Sequence, residues 1–339
     1  MNRMSLIVLA VIVLIAIATL CALLDLSIIS GRDTYSFTEV IEALFGNGTW
    51  GSNIIVNDTN APRVAAGVFI GAGLAVAGSA MQAVFRNPLA SPYLLGLSSG
   101  ASVGAALSML VAIPLIPVAI TTPVLAFITC FATMILVYSM SRIGGTVKTE
   151  SLILSGVAVS SLLSAVVSFL TFISGDKLEG IVFWTMGSLS SMSWGKVYFM
   201  APVITVCIVF LLTQSKNLNA MMLGDLHAMD LGVDVKGTRL FVLILTTLIV
   251  ASAVSFAGVI GFIGLVIPHI LRILLGPDNR TIMPLSIIAG AAFILICDFL
   301  AHVVAPQYGT LPIGVVTALV GAPIFIYLLL RRKREVGWN

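Results

Sequence analysis

The sequence predicts an all-α, polytopic membrane protein with ten transmembrane helices and both termini in the cytoplasm, and three observations predict it. Of the 339 residues, 59% are hydrophobic and only 9% charged, with a mean hydropathy of +1.14. A soluble domain carries about 25% charged residues, so this chain has too few charges to solvate a globule. Apolar windows of about 20 residues, the length that crosses a ~30 Å hydrocarbon layer, recur along the chain, and lysines and arginines gather in alternate loops. A conventional soluble enzyme is excluded, and residues 1–339 read as a single transmembrane domain.

The first window, Leu6 to Leu24, has 19 residues and follows Arg3. It exceeds the ~7–15 residues of a secretory core, which predicts an uncleaved first helix. After the polar stretch from Ser30 to Asn60, apolar windows follow at 64–84, 94–112, 118–140, 152–173, 197–213, 240–257, 258–275, 282–304 and 311–330. The run from Leu240 to Leu275 would make one helix of about 54 Å, too long for a single crossing. Lys236 and Arg239 before it and Arg272 and Arg280 after it belong on the cytoplasmic side by the positive-inside rule. An even number of crossings separates them, which predicts a turn in the glycine-bearing segment Ser255–Gly261.

With the N-terminus inside, Arg3, Arg86, Arg142, Lys148, Lys216, Lys236, Arg239, Arg272, Arg280, Arg331, Arg332, Lys333 and Arg334 are cytoplasmic. Arg32, Arg63, Lys177 and Lys196 lie outside, so 13 of the 17 basic residues agree on the orientation. They are spread over loops as topology demands, and nucleic acid is not an indicated partner. Two outer segments, 30–61 and 174–194, carry Tyr35 with Phe37 and Phe183 with Trp184 and Trp194. Such rings suit the headgroup layer of the lipid or contact with a partner. Cys21, Cys130, Cys207 and Cys297 sit in apolar runs without ligand spacing and read as small core residues.

Gly67 and Gly71, and Gly96, Gly100 and Gly104, recur at four-residue intervals. Small residues so spaced let helices approach closely in lipid, either within one subunit or at a seam between two. The fifth window carries Ser155, Ser160, Ser161, Ser164, Ser168 and Thr171, more hydroxyl than lipid requires. That face turns to a wet path or to a partner helix. A similarity between the openings of the fifth and last windows suggests structural repeats over 62–173 and 240–331.

No phosphate-binding G-x-x-x-x-G-K-[ST] loop and no H-E-x-x-H motif occurs, and no catalytic or metal-ligating residue is assigned. Asp298 with His302 and His269 with Arg272 form two ionisable pairs at opposite membrane faces, for interhelical contact or gating. The cytoplasmic segment 214–239 places Leu223, Leu226 and Met229 at helical intervals, with Gly224 and Gly232 to bend the chain. It predicts two short helices that either fill a groove on a cytoplasmic partner or rest on lipid.

Three stretches carry a resemblance: Gly258 to Arg272 (GVIGFIGLVIPHILR), Leu311 to Ala318 (LPIGVVTA) with Gly321-Ala322-Pro323, and Arg86 to Pro92 (RNPLASP) followed by Leu95-Gly96. In order and spacing from about 62 to 331 they resemble the FecCD family of permease subunits of type II ATP-binding-cassette importers. The resemblance implies a homodimer in the cell membrane, two cytoplasmic ATPase subunits that bind ATP and Mg, and an extracytoplasmic binding protein. No cofactor is implied in this chain. It further implies that Gly224, Asp225, Leu226, Ala228, Leu231 and Gly232 form the element that couples to the ATPase. The fifth and tenth helices would line the path through Ser160, Ser164, Ser168, Thr171 and Thr317.

The chain departs from the family pattern at Asn60 and at Thr310, where relatives carry arginine and glutamate, which leaves Arg63 to meet the binding protein. The implied activity is import by alternating access of a metal chelate, a ferric siderophore first, then cobalamin, haem or molybdate. Readings from other classes are an ion-coupled secondary transporter and a membrane scaffold.

Overall fold

The computed structural model describes residues 3–30, 33–111, 116–143, 146–147, 149–304 and 309–336. Arg32 and Lys148, two of the residues that orient the chain, lie outside them. Helix α1 (Arg3–Ser27) leads into a ribbon of β1 (Ile28–Ser30) and β2 (Asp33–Thr34), then α2 (Phe37–Leu44), α3 (Trp50–Asn53) and α4 (Ala61–Val84). Next come α5 (Leu97–Leu110) and α6 (Val118–Met140), a second ribbon of β3 (Arg142–Ile143) and β4 (Thr146–Val147), α7 (Thr149–Phe172), α8 (Leu178–Met186) and α9 (Trp194–Thr213). The chain ends with α10 (Ser215–Met222), α11 (Asp225–Asp230), α12 (Val235–Ala257), α13 (Ile263–Leu275), α14 (Asn279–Val303) and α15 (Ile313–Val336).

Each of the ten apolar windows holds a helix. Among the described residues, six helical segments are long and apolar enough to cross a membrane: 50–84, 118–140, 149–172, 194–213, 235–257 and 279–303. Helices α5 and α13, with 14 and 13 residues, are shorter. The expected turn lies between α12 and α13, where Gly258 (φ 68) and Phe262 (φ 67) bend the backbone through the left-handed region. Irregular backbone at membrane depth is tolerated only where protein satisfies its polar groups. Here the Ser188 amide donates to the Ala257 carbonyl at 2.7 Å, and the Tyr93 hydroxyl to that of Ile260 at 2.8 Å.

Composition did not reveal the short outer helices. Helix α2 is closed by a capping box, in which the Ser36 hydroxyl accepts from the Glu39 amide and the Glu39 carboxylate accepts from Ser36. These same bonds hold the Glu39 carboxyl below its ordinary value. From Trp50 the chain stays helical to Val84, through a π-helical turn at Ile54–Asn60 closed by the Ala61 amide on the Val56 carbonyl. Within that turn Asn60 is buried and donates to the Leu26 and Ile28 carbonyls at 3.0 and 2.7 Å. It ties the end of α1 to the start of α4.

Helix α4 is the axis of the bundle, with 78% of its apolar window buried among α9, α12, α13 and α14. Its glycines make this possible. Gly71 lies against the backbone of Gly290 on α14, and Gly78 against that of Gly264 on α13, so close that a Cβ at either would strike the facing carbonyl. In lipid, apolar burial gives little drive for association, and such close backbone approach supplies the packing instead. Gly100 and Gly104 face Thr133 and Thr129 of α6 in the same way. The glycine spacing therefore serves contacts within one subunit.

Replacing Gly71 with valine should cost more than the ~1–3 kcal/mol usual for overpacking, because the facing atoms are backbone. A large fall in the thermal unfolding midpoint of the detergent-purified protein is expected. Gly51→Ala, at a site with one neighbour at 3.9 Å, should leave the midpoint in place.

Candidate functional site

Helices α10 and α11 form a bent element at the end of the bundle where α4 and α9 finish and α12 and α14 begin. Gly224, between them, has φ 119, and Gly232, just after α11, has φ 83. Side chains with a Cβ rarely adopt these conformations, so both bends require glycine. Leu218 and Met221 of α10 are buried. Asn219 pins that helix to α14: its Oδ1 accepts from the Asn279 amide and Nδ2, both at 2.8 Å, and its Nδ2 donates to Asp278 at 2.6 Å.

Asp225 points inward. Its carboxylate meets Arg239 of α12 at 2.8 Å and Arg86, just past α4, at 3.3 Å. Arg239 is the buried partner, with a side chain 6% exposed, and also donates to the Val147 carbonyl at 2.7 Å. Ala228 faces inward too, fully buried. The opposite face of the element carries Leu223, Leu226, Met229 and Leu231, between 52% and 72% exposed. The expected coupling residues thus divide: Gly224 and Gly232 shape the element, Asp225 and Ala228 hold it to the body, and Leu226 and Leu231 face outward. Arg239, counted in the sequence only for topology, and Arg86, noted there also as the start of RNPLASP, are the missed members of this site. Asp225, one of three aspartates between Lys216 and Arg239, was the available signal.

Beside this element a cavity of about 300 Å³ is lined by the polar Gln82, Arg86, His269 and Arg272 together with Pro88, Met222 and Ile273. Arg272 is its knot, donating to the Ser79 carbonyl at 3.0 Å, Gln82 Oε1 at 3.2 Å and Asn279 Oδ1 at 2.8 Å. Three helices, α4, α13 and α14, are joined there by one guanidinium.

Helix α7 is the barest of the long helices, with 17% of its apolar window buried. Ser160, Ser161, Ser168 and Thr171 each donate to the carbonyl four residues earlier, at 2.7–3.0 Å. Ser164 meets Ser99 of α5 at 3.2 Å. Ser164 and Ser168 are exposed and Ser160 and Thr171 half-buried, among the exposed Leu154, Leu162, Phe169 and Phe172. Helix α15 exposes Leu319, Ile326 and Tyr327, and α8 touches both α7 and α15. Thr317 differs from the expectation: it is fully buried and donates to the Gly314 carbonyl, so it lines no open face in this conformation.

Arg63 also requires correction. It is only 6% exposed, and its guanidinium is committed within the subunit: Nε to Asp298 at 2.9 Å, Nη1 to His302 Nε2 at 2.8 Å and Nη2 to the Asp25 carbonyl at 3.3 Å. His302 Nδ1 meets the Asp298 carbonyl at 2.8 Å. That bond assigns the proton to Nδ1 and leaves Nε2 to accept from Arg63. A cation buried at this depth needs a paired anion, so Arg63 knits α1, α4 and α14 and is not presented to a partner. The Asp25 carboxylate lies fully buried beside them without a hydrogen-bond partner. Asp25, Asp298 and His302 bring one ligand atom each within 4.8 Å of one another, but the Arg63 guanidinium already supplies a cation there.

Comparison with known proteins places this geometry. Residues 15–331 match the model of the FecCD transport family. The chain is 40% identical over 285 residues to the cobalamin import system permease protein BtuC of Halobacterium salinarum, covering 84% of this chain and 75% of that one. It is 39% identical over 278 residues to the hemin transport system permease protein HmuU of Yersinia pestis, covering 81% and 82%. A solved inward-facing conformation of a metal-chelate type ABC transporter superposes with a TM-score of 0.83 at 32% identity, over 95% of this chain and 98% of that one.

Two outcomes test the geometry. Arg63→Ala leaves Asp298 buried and unpaired, which costs about 3–5 kcal/mol. Its defect should appear as loss of folded protein in a thermal melt, with Arg63→Met/Asp298→Leu recovering most of it. Asp225→Asn takes the anion from Arg239, whose side chain is 6% exposed, and so costs more than the ~1 kcal/mol of an exposed pair. Amide hydrogen exchange across 225–231 should rise by more than about fivefold while the rest of the chain stays unchanged.

Proposed function

The chain belongs to the FecCD transport family, and from that membership we propose that two copies of it form the conduit of an importer driven by separate ATPases. It is an integral membrane permease of the ATP-binding-cassette type. In this reading α1, α4, α5, α6, α7, α9, α12, α13, α14 and α15 make the ten crossings, both termini are cytoplasmic, and α7 and α15 face the second copy and the path. The exposed faces of those two helices support it.

The observation that carries the proposal is the α10–α11 element. Its inner face is fastened to α4, α12 and α14 through Arg86, Arg239 and Asn279, and its outer face is a ridge of unpartnered leucines and a methionine. Such a ridge fits a groove on a cytoplasmic protein, and the anchors turn motion of that partner into motion of the bundle. ATP and Mg act in the ATPase. An extracytoplasmic protein delivers the cargo, a ferric siderophore first, with cobalamin, haem and molybdate as the other members of the class. The path changes sides because the partners bind its two states with different affinity.

An ion-coupled carrier is not favoured. The two buried ionisable clusters, around Asp298 and around Arg272 with Asn279, sit at opposite ends of α14, about 28 Å apart at 1.5 Å per residue. A proton or ion relay would need groups between them.

Leu226→Asp and Leu231→Asp place charges on the ridge without touching the anchors. Reconstituted with ATPase and binding protein, each should lose most of the binding-protein-stimulated ATP hydrolysis and uptake while the melting temperature holds. Full ATP-dependent uptake in the double variant would refute the coupling role. Screening iron chelates, cobalamin, haem and oxyanions in the same vesicles would identify the cargo.

A further inference from the structure

A groove of about 490 Å³ runs between α6, α9 and α12, away from the helices proposed to face the second copy. Its walls are Ile120, Val124, Phe127 and Ile128 of α6, Phe199 of α9 and Phe256 of α12. From Ile120 to Ile128 the groove follows α6 for about 12 Å, close to half the ~30 Å thickness of a hydrocarbon layer. It lies where α6 and α9 begin and α12 ends, so it starts at one membrane surface and points toward the midplane.

One cation stands at the surface end. Lys196, in the first turn of α9, lines the groove and donates to the Ser191 carbonyl at 2.6 Å. No ion pair among the described residues includes it. Nearby, Trp194 and Tyr198 stack at 5.7 Å, an aromatic pair of the kind that marks headgroup depth. At Gly195 the mouth is open, since a Cβ there would meet nothing within 4 Å.

From this we infer that the groove is a binding site for one acyl chain of an anionic phospholipid, whose phosphate is held by Lys196. The occupant must be apolar over its length and negative at one end, with that end at the level of the headgroups. A phospholipid meets both demands, and it is the solvent of this face. The site is a property of the permease alone; only the leaflet it serves, the outer one, rests on the proposed orientation.

The test uses the full-length, delipidated protein in non-ionic detergent, read by native mass spectrometry with phosphatidylglycerol and phosphatidylcholine of matched chains. The wild type should retain phosphatidylglycerol about fivefold better, the effect expected of one lysine at a membrane surface. Lys196→Gln should lower phosphatidylglycerol to the phosphatidylcholine level and leave the latter unchanged. Gly195→Leu fills open space, so its melting temperature should hold while one bound lipid of either kind is lost. Equal retention by wild type and both variants would overturn the site. Full displacement by glycerophosphoglycerol, which has a headgroup and no chains, would overturn the acyl groove. Spontaneous disulfides between two Val124→Cys copies would show that a second subunit covers it. Because neither ATPase nor cargo is present, failure here leaves the importer reading standing, and failure of that reading leaves the lipid site standing.

Discussion

Two helices in hydrocarbon gain little from burying apolar side chains against each other, since lipid would cover the same surface equally well. What distinguishes protein contact from lipid contact is closeness. In this fold it is concentrated where Gly71 meets Gly290 and Gly78 meets Gly264. Those meetings set the position of α4, and the other helices take theirs from it. Helix α14, locked to α4 there, carries Asp298 and His302 at one end and Asn279 at the other. One ties down α1 through Arg63, and the other ties down α10 through Asn219.

The α10–α11 element inherits its stiffness from this framework. Asp225 bridges the ends of α4 and α12 with two arginines of different exposure: Arg239 is enclosed, Arg86 is 39% open. The enclosed pair fixes position, while the open one is reachable from solvent. The carboxylate named by resemblance as part of the coupling element is thus spent on the body, and the leucines face outward.

Much of the architecture could be read in the sequence because a membrane span has a length requirement. The ten windows, the break near Gly258 and the pair of short helices meeting at Gly224 all follow from runs of apolar residues, glycine and basic flanks. Side-chain direction could not be read in the same way. In a soluble protein polar residues mark the outside of a helix, but here lipid and protein interior are both apolar, so spacing does not say which face of α7 or α15 is covered. Thr317 was accordingly given to a path from which it is buried, and Arg63 to a partner when it belongs to Asp298. The short helix α2 and the π-helical turn escaped notice for another reason: they are set by capping and by Asn60 holding the end of α1, which no periodicity records.

The unbroken helical course from Trp50 to Val84 amounts to a shaft roughly 50 Å long. Its N-terminal end lies beside the short helices α2 and α3, where in the proposed importer a delivery protein would settle, and Arg86 follows directly after its C-terminal end. A load applied at the top needs no chain of switching side chains to be felt at the bottom. In the proposed importer, tilting a stiff rod about the contact at Gly71 would move both tips in opposite directions and so would link arrival of cargo at one end to engagement of the motor at the other.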